Sequence, residues 1–386
     1  MVIGFDARVV QFFGGIATYS RELIRAVAQA LPEKSVKLFT RASARKVREL
    51  QHLFKDVALE FVPVLPSADM LGQGLKPAMR QIQDSILRRK THTVDILHLT
   101  DPEYFFEGCS NVAVTIHDLF WTYPDEWVSK DLKARLALRL RPILQQACAI
   151  FTPSQFVHSE VQQHIPADAK KIFVTYEAAA AHFKPQPIDW QALAKFQLSP
   201  QTPFVFCLGR ATDARKNIVR MVKAFAALPT PLKSRYRFLM FINARPNEMA
   251  PMQELAEQHR CDNVHLFGAP SDHELVQLYN AATGLMFVSL AEGFGLPVLE
   301  AMQSGCPVLT AHTSALPEVA GDAALYANPK DVESISEAME RFLQDRALRE
   351  DLRRKGLEQA KKFSWKRSAQ LTIEGYKAVL SGHKKT

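Results

Sequence analysis

The feature that most constrains the fold of this chain is a regular alternation of short apolar runs with longer helix-like stretches. VIGFDA precedes the amphipathic stretch IATYSRELIRAVAQAL, and later runs include VKLFT, LEFVPV, DILHLT, VAVTIHD, AIFTPS, KIFVTY, PFVFCLGR, YRFLMFIN, VHLFG, GLMFVSL, CPVLTA and ALYA. Short β-rich runs separated by helical periodicity predict βαβ units and parallel sheets. We therefore predict an α/β fold.

The stretch HFKPQPIDWQALAKFQLSPQTP divides this pattern into two α/β halves. A chain of 386 residues is long enough for two domains with sizeable cores. We predict an N-terminal domain over 1–184 and a C-terminal domain over 185–363. The stretch FSWKRSAQLTIEGYKAVL, which leads from Phe363 into the last segment, 364–386, predicts a helix.

Composition narrows the class of protein. Apolar residues make up 47% and charged residues 23%, as in ordinary globular proteins. No apolar run reaches the roughly 18–20 residues that a membrane span needs. The start, MVIGFDARVV, lacks the basic region and long apolar core of a signal peptide. We expect a cytoplasmic protein.

Cysteine usage and charge add two expectations. The cysteines are odd in number, far apart and without a C-x-x-C pair, which favours buried thiols over zinc or disulfides; they are Cys109, Cys148, Cys207, Cys261 and Cys306. The formal net charge of +8 suggests an anionic partner such as nucleic acid, an anionic membrane or a phosphorylated substrate, although a basic soluble protein fits equally well.

The first motif that carries chemistry is FFGGIATYS, where Gly14 and Gly15 follow the first strand and open a helix. Glycines at that junction let backbone amides approach a ligand, and the helix dipole favours a phosphate. The motif is not G-x-G-x-x-G, and no acidic residue is placed to hold a ribose. A dinucleotide site is therefore only weakly supported.

Two further motifs follow strands. In LGRATDARKNI, a strand that we expect to end at Leu208 is followed by Arg210, Arg215 and Lys216. Cations at the carboxyl edge of a parallel sheet can clamp a pyrophosphate and stabilise it as it leaves. In TIHDLF we expect His117, at the end of its strand, to be able to donate a hydrogen bond to a sugar or a phosphate.

The most informative motif is LAEGFGLPVLEAMQSGCPVL, in which Glu292 and Glu300 bracket a glycine-rich turn. The amides of the turn can contact phosphate oxygens, and Pro297 suits a first helical turn; the turn residues are Gly293, Phe294, Gly295 and Leu296. Carboxylates accept hydrogen bonds from hydroxyls. The ligand should therefore carry phosphates and vicinal hydroxyls, as a nucleoside diphosphate sugar does.

Each motif also has a plain structural interpretation when taken singly. The Gly-Gly pair then makes a simple turn, the basic loop is solvated and His117 is structural. Glu300 then caps a helix dipole and Glu292 lies at the surface.

Together, these motifs resemble a known family, the retaining glycosyltransferases with the GT-B fold, whose signature is E-x7-E. The resemblance covers nearly the whole chain and includes FDARVVQFFGGIATYSRELI, LGRATDARKNI, EGFGLPVLEA, TSALPEVAGDAALYANP and FSWKRSA. It implies two Rossmann-like domains facing across a cleft, with the acceptor on the N-terminal domain and the nucleotide sugar on the C-terminal domain. It also implies that the C-terminal helix crosses back onto the N-terminal domain.

The resemblance implies roles for individual residues. Glu300 would bind the ribose hydroxyls, Glu292 would lie at the donor sugar, and His117 would lie beside that sugar. Arg210 and Lys216 would hold the diphosphate and help it leave. The amide of Gly15, next to Gly14, would contact the distal phosphate.

The resemblance also implies the course of the reaction. Transfer would retain the anomeric configuration by front-face attack, with the leaving phosphate helping to deprotonate the acceptor. The chain has no D-x-D motif, so no metal and no cofactor is expected.

The substrates are less constrained. The start FDAR, the RKN segment and SALPEVAGDAAL look most like bacterial mannosyltransferases of O-antigen or exopolysaccharide assembly, which favours GDP-mannose, with a UDP-sugar as the alternative. The acceptor would be a glycan or a lipid-linked glycan. The basic stretches DLKARLALRLRP and KPAMRQIQDSILRRK predict weak peripheral contact with the inner face of the plasma membrane, unless they are solvated helix faces.

Other functions remain open at this stage. They are a nucleotide-sugar epimerase, a phosphorylase or sucrose-type synthase, an inactive sugar-binding relative and a basic nucleic-acid-binding protein. No helix-turn-helix, RNP-like or zinc pattern supports nucleic acid as a partner.

The chain departs from the family pattern in three places. YEAAAAHF replaces the usual N-G-V-D, and FINARPNEM replaces a glycine-rich segment. VSLA replaces the Pro-Ser before the signature. The first departure bears on the interdomain hinge and the second on the phosphate contacts of the donor.

Overall fold

The structure is a computed structural model that describes residues 1–11, 14–40, 44–63, 85–86, 89–102, 111–164, 171–210, 212–243, 254, 257 and 262–382. Some segments discussed above lie wholly or partly outside these ranges; they are Phe12 and Phe13, most of KPAMRQIQDSILRRK, Cys109, Ala211, residues 244–249 of FINARPNEM, and Cys261.

The chain divides into two compact units. Unit 1 comprises Met1–Tyr123, Val128–Glu177 and Ser364–Thr386. Unit 2 comprises Pro124–Trp127 and Ala178–Phe363. The domain limits predicted from the sequence, at residues 184 and 363, stay predictions.

The described strands are β1 (Ile3–Asp6), β2 (Val36–Thr40), β3 (Glu60–Pro63), β4 (Ile96–Leu99), β5 (Val112–Thr115), β6 (Ala149–Thr152), β7 (Ile172–Val174), β8 (Phe204–Arg210), β9 (Arg237–Asn243), β10 (Val264–Gly268), β11 (Gly284–Phe287), β12 (Val308–Ala311) and β13 (Leu325–Ala327). The described α-helices are α1 (Gly15–Ala30), α2 (Ala44–Leu53), α3 (Lys130–Gln146), α4 (Gln155–His164), α5 (Trp190–Leu193), α6 (Ile218–Ala227), α7 (Thr230–Arg235), α8 (Asp272–Ala281), α9 (Leu296–Gln303), α10 (Leu316–Ala320), α11 (Val332–Gln344), α12 (Arg346–Ala360) and α13 (Trp365–Gly382).

The sheet of unit 1 is parallel and has the described order β3-β2-β1-β4-β5-β6-β7. Strands β1, β4, β5 and β6 are buried along their whole length, as expected for strands covered by helices on both faces. The chain order reverses direction between β1 and β4. Loops that follow β1, β4 and β5 therefore gather at one edge of the sheet.

The sheet of unit 2 is also parallel, in the described order β10-β9-β8-β11-β12-β13. This is the doubly wound order of Rossmann-like folds, with the direction reversed between β8 and β11. Helices that follow two adjacent strands at such a reversal lie on opposite faces of the sheet. A crevice therefore forms outside the carboxyl ends of β8 and β11.

The final helix, α13, belongs to unit 1. Its buried residues Ala369, Ile373 and Tyr376 join the apolar core formed around β1 and α1. Ser368 in the first turn of α13 donates a hydrogen bond to the carbonyl oxygen of Tyr176. Burial of this one face explains why a helix with many exposed charged residues docks there.

The α/β fold class predicted from the sequence is confirmed, since each apolar run named above contains a strand and the tail is a helix. Two strand ends differ from the prediction. Strand β8 continues past Leu208 to Arg210, because its pairing with β9 extends to Arg210 opposite Asn243. Strand β5 ends at Thr115, before His117, because its neighbour β4 ends at Leu99, opposite Val114.

Cysteine chemistry agrees with the prediction where the chain is described, because Cys148, Cys207 and Cys306 are free thiols. Within the described ranges, no helix combines the length and the hydrophobicity that a membrane crossing needs.

Candidate functional site

The candidate site lies in unit 2, outside the carboxyl ends of β8 and β11. The segment after β8 supplies Lys216, and the segment after β11 supplies Glu292 and leads into α9, which carries Glu300. The reversal of strand order therefore gathers segments that are about 80 residues apart in sequence.

A short 3-10 turn, Ala214–Lys216, follows β8. The Asp213 side chain caps this turn by accepting the amide of Arg215 and forms an ion pair with the Arg215 guanidinium at 2.7 Å. Burial alone would raise the pKa of Asp213, but Arg215 and the charge of Lys216 outweigh it and lower that pKa. Arg215 is thus held by Asp213, and this leaves Lys216 as the cation directed at the other loop.

Lys216 and Glu292 form the central contact of the site. The ammonium Nζ of Lys216 lies 2.7 Å from Oε1 of Glu292 and 5.1 Å from the ring centroid of Phe287. The Glu292 amide donates to Oγ of Ser314 at 2.9 Å, which fixes the backbone that carries the carboxylate. Glu292 is only 9% exposed, so the cation compensates a mostly buried charge.

Asn217 ties the two loops together. It adopts a left-handed φ of 56°, and its Nδ2 donates to the carbonyl oxygens of Val288 at 2.9 Å and Pro329 at 2.7 Å. The amide of Leu290 donates to the carbonyl oxygen of Arg215 at 2.8 Å. Sequence reasoning missed Asn217, whose only local signal is an asparagine just before the helix α6, where the left-handed conformation suits that residue.

The glycine-rich turn brings backbone amides, and not side chains, to the site. Gly295 precedes α9 with φ of 108°, no side chain caps the helix start, and Pro297 lies in its first turn. The side chain of Leu296 is buried, and the ring of Phe294 packs edge-on against Phe363 with centroids 5.7 Å apart. Phe294 and Leu296 can therefore contribute only their amides to an anion.

Glu300 lies at the start of the second turn of α9. It is 8% exposed, and the hydroxyl of Tyr279 donates to its Oε2 at 3.1 Å. Tyr279 was missed by sequence reasoning because it sits on α8, among ordinary core residues of that helix.

Arg210 is the last residue of β8 and its side chain is exposed. It forms no ion pair with any residue that the structure describes. It lines a cavity of about 460 Å³ together with Asn217, Leu290, Arg220 and Lys223, among others. Glu126 and Asp213 line the same cavity, so its lining carries both signs of charge, and neither Glu292 nor Glu300 lines it.

The predicted residues of unit 1 occupy the carboxyl edge of its own sheet. Gly14 has φ of 117° and precedes α1, which begins at Gly15. A left-handed glycine at that position agrees with the predicted turn, and both glycines are exposed.

His117 is engaged at both ring nitrogens. Nδ1 lies 3.2 Å from Oε1 of Glu177, and Nε2 lies 2.9 Å from the carbonyl oxygen of Thr100. Burial alone would lower the pKa of His117, but the hydrogen bond and charge of Glu177 and the Thr100 carbonyl outweigh it and raise that pKa. Two acceptors, Glu177 and the Thr100 carbonyl, suit the protonated form of the ring, in agreement with the raised pKa.

Among the described residues, no group of three or more His, Cys, Asp or Glu side chains is arranged so that it could hold a metal ion.

Comparison with known proteins gives the family of both halves. Residues 189–359 match the profile of the family described as "Glycosyl transferases group 1", and residues 13–178 match "Glycosyltransferase Family 4". The chain is 31% identical over 388 residues to O-antigen chain mannosyltransferase B of Escherichia coli, covering 95% of this chain and 96% of that protein. It is 32% identical over 245 residues to the serotype-specific mannosyltransferase WbdA of the same species, covering 63% of this chain and 30% of that longer protein.

Solved structures agree on the fold. Sucrose-phosphate synthase of Thermosynechococcus elongatus matches with a TM-score of 0.76 and 19% identity, covering 99% of this chain and 100% of that one. The HepE protein of Anabaena, in complex with UDP and glucose, matches with a TM-score of 0.72 and 17% identity, covering 97% and 98%. Together with the two parallel sheets, these matches assign the GT-B fold that the sequence predicted.

Proposed function

The chain belongs to the group 1 glycosyltransferases, and on that premise we propose that it transfers mannose from GDP-mannose to a glycan or a lipid-linked glycan. The observation that carries this proposal is the contact between Lys216 and Glu292, at 2.7 Å, where the strand order of unit 2 reverses. A cation and a carboxylate at that position suit a ligand with a diphosphate on one side and sugar hydroxyls on the other.

The diphosphate of the donor would be held by backbone amides and by two cations. The start of α9 has no side-chain cap. Pro297 has no N–H, and the amide of Val298 donates to the carbonyl oxygen of Gly295, so Leu296 and the glycine-rich turn before it would supply the amides for an anion. Glu292 pairs with Lys216 in the structure. A bound diphosphate would share or take over Lys216, while Arg210, which has no ion pair to a described residue, would approach from the end of β8.

The two carboxylates would grip opposite ends of the donor. Glu300 would accept hydrogen bonds from the ribose hydroxyls, and Glu292 would accept them from the hydroxyls of the transferred sugar. The roles of Gly14, Gly15 and His117, all in unit 1, stay predictions from the resemblance.

We propose that transfer retains the anomeric configuration. The bond between the anomeric carbon and the phosphate oxygen breaks as the acceptor hydroxyl attacks from the same face, and the hydroxyl proton passes to the leaving phosphate. Lys216 and Arg210 would stabilise the negative charge that develops on that phosphate, a function that a metal ion serves in other enzymes. We therefore propose that the reaction is metal-independent, so an excess of EDTA should leave the rate unchanged.

Mannose is supported by the names of relatives, guanine by the family resemblance of the sequence alone, and uracil by a structural neighbour. Two relatives carry the name mannosyltransferase, whereas HepE was solved with UDP-glucose. A thermal-shift panel of GDP, UDP, GDP-mannose and UDP-glucose decides between them, because a ligand that binds only the folded state raises its stability. We expect GDP-mannose to raise the melting temperature most, and a shift with the uridine compounds alone would replace the donor with a UDP-sugar.

Product analysis tests the reaction itself. The anomeric proton of the sugar transferred from GDP-mannose, followed by NMR, should have the α configuration of the donor. A β product would contradict retention, and transfer to inorganic phosphate alone would point to a phosphorylase.

We further propose a cytoplasmic enzyme in peripheral contact with the inner face of the plasma membrane. Helix α3 presents exposed Arg135, Arg139 and Arg141 around Leu138, which is 78% exposed. A basic face around an exposed apolar side chain suits anionic lipid.

Co-sedimentation with anionic vesicles at low salt tests this contact. The double variant Arg135→Glu/Arg139→Glu should lose most of its vesicle binding. The matched control Arg346→Glu/Arg354→Glu makes the same change of charge on α12 and should retain it. Equal loss in both variants would attribute the binding to net charge and refute a role of α3.

A further inference from the structure

Tyr279 has no role in the functions considered so far, yet its hydroxyl contacts the candidate site. The residue is fully enclosed near the end of α8, and its hydroxyl donates to Oε2 of Glu300 at 3.1 Å. Its ring packs against Phe183 and Phe206, with centroids 5.7 Å and 5.4 Å apart. The ring is therefore held on two sides, and the hydroxyl has one fixed position.

Burial and the neighbouring charge of Glu300 keep the Tyr279 hydroxyl protonated, so this hydroxyl is always the donor of the hydrogen bond. Burial, and then the negative charge of Glu300, raise the pKa of Tyr279 well above its ordinary value of 10. Glu300 itself is mostly buried, and a buried carboxylate is costly unless donors satisfy its oxygens. The hydrogen bond thus fixes one carboxylate oxygen and with it the orientation of the whole group.

Orientation matters because a diol binds a carboxylate only when both oxygens are correctly placed. A carboxylate held by a neighbouring donor pays less to become ordered when the ligand arrives. Resting on the proposed function of Glu300, we propose that Tyr279 is a positioning residue that makes Glu300 selective for a nucleotide with ribose hydroxyls.

The experiment compares two nucleotides that differ only in those hydroxyls. Dissociation constants of GDP and 2′,3′-dideoxy-GDP, and of the corresponding uridine pair, are measured by calorimetry for the wild type and for Tyr279→Phe. The control is Tyr236→Phe, which removes another buried tyrosine hydroxyl of unit 2, the donor to the carbonyl oxygen of Leu343 at 3.1 Å. The ratio of two affinities within one variant is independent of the folded fraction.

We expect the wild type to prefer the ribonucleotide by about tenfold or more, the range of a hydrogen bond to a charged group. Tyr279→Phe should weaken binding of the ribonucleotide about fivefold and leave the dideoxy compound within about twofold. Tyr236→Phe should keep the ratio of the wild type. In a Glu300→Gln background, the Tyr279 change should have no further effect on the ratio, because both residues act through one contact.

The possible results distinguish a failure of the role inferred for Tyr279 from a failure of the ribose-binding role proposed for Glu300. A wild-type preference that Tyr279→Phe leaves intact overturns the inference alone. A wild type that binds both nucleotides equally overturns the ribose role of Glu300, and the inference with it.

Discussion

At the scale of single residues, the site of unit 2 depends on charge compensation between loops. Lys216 neutralises Glu292, Arg215 is held by Asp213, and Tyr279 satisfies one oxygen of Glu300. Each charge is therefore fixed before a ligand arrives, which lowers the cost of ordering the site on binding.

The first prediction concerns Glu292. Glu292→Gln removes the charge that faces Lys216 and that is proposed to bind the donor sugar, so turnover should fall on the order of 10²-fold or more. Release of GDP from GDP-mannose measures this loss. Glu337→Gln, the same change at an exposed position of α11, is the control and should keep the wild-type rate. Wild-type turnover in Glu292→Gln would refute the assigned role.

The second prediction concerns the turn before α9. At Gly295, φ is 108°, and an added Cβ would lie 2.8 Å from Cδ2 of Leu316. Gly295→Ala should therefore cost about 2–3 kcal/mol of stability, from backbone strain and from the clash.

Gly14 has backbone strain without a contact, because its φ of 117° and ψ of 175° lie in a region that only glycine readily adopts and nothing lies within 4 Å of an added Cβ. Gly14→Ala should therefore cost about 1–3 kcal/mol from the backbone alone. Calorimetric melting of both variants measures the two losses. A melting temperature of Gly295→Ala equal to that of the wild type would contradict the strain assigned to its turn.

At the scale of secondary-structure elements, α13 is anchored in unit 1 by a buried polar chain. The Tyr376 hydroxyl contacts Nδ1 of His98, whose Nε2 lies 2.8 Å from Oγ1 of Thr115. Thr115 in turn contacts the hydroxyl of Tyr19 at 3.0 Å, and the ring of Tyr19 packs edge-on against His117 at 4.7 Å. Helix α13 is thus connected to His117, which lies at the carboxyl edge of the sheet of unit 1.

The third prediction follows from this chain. Tyr376→Phe keeps the ring but leaves Nδ1 of the buried His98 without its hydrogen-bond partner, so it should cost about 1–3 kcal/mol. Hydrogen exchange of α13 measures the loss locally. Ser381→Ala, near the exposed end of the same helix, is the control and should stay within about 0.5 kcal/mol of the wild type. Unchanged exchange in Tyr376→Phe would show that apolar packing alone holds the helix.

At the scale of the whole molecule, two buried histidines give opposite pH dependences. Burial, and then the charge of His117, lower the pKa of His98 to about 3. Below pH 6.5 the unfolded chain binds a proton that folded His98 does not, so stability falls with decreasing pH by up to about 1.4 kcal/mol per pH unit. His117 has a raised pKa, so its contribution is present below pH 6.5 and is lost as pH rises through the folded value.

The fourth prediction is therefore that His98 and His117 together give the wild type a maximum of stability near pH 6.5. Melting temperatures between pH 5 and pH 8 should fall less steeply on the acid side in His98→Gln. They should fall less steeply on the alkaline side in His117→Gln. Slopes identical to the wild type in both variants would contradict the assignment.

The fold could be predicted from the sequence because its strands are buried parallel strands, which read as apolar runs whatever lies between them. The membership of Pro124–Trp127 in unit 2 could not, because no local pattern marks it. Likewise β8 reaches Arg210 only through its pairing with Asn243, a long-range contact.

The site could be predicted in part. Glu292 and Glu300 stand out because they bracket a glycine-rich turn, and Lys216 because it lies in a basic loop that follows a predicted strand. The contact between Lys216 and Glu292, 76 residues apart, required the folded protein. Tyr279 and Asn217 were missed because their partners are supplied by other elements, so the sequence around them carries no sign of their role.

The central claim is that a nucleotide sugar binds where the strand order of unit 2 reverses. Hydrogen–deuterium exchange with and without GDP-mannose tests it most directly. We expect GDP-mannose to slow exchange in peptides covering 212–217 and 290–300, and mannose alone to cause no change. Protection elsewhere, with these two segments unaffected, would contradict it.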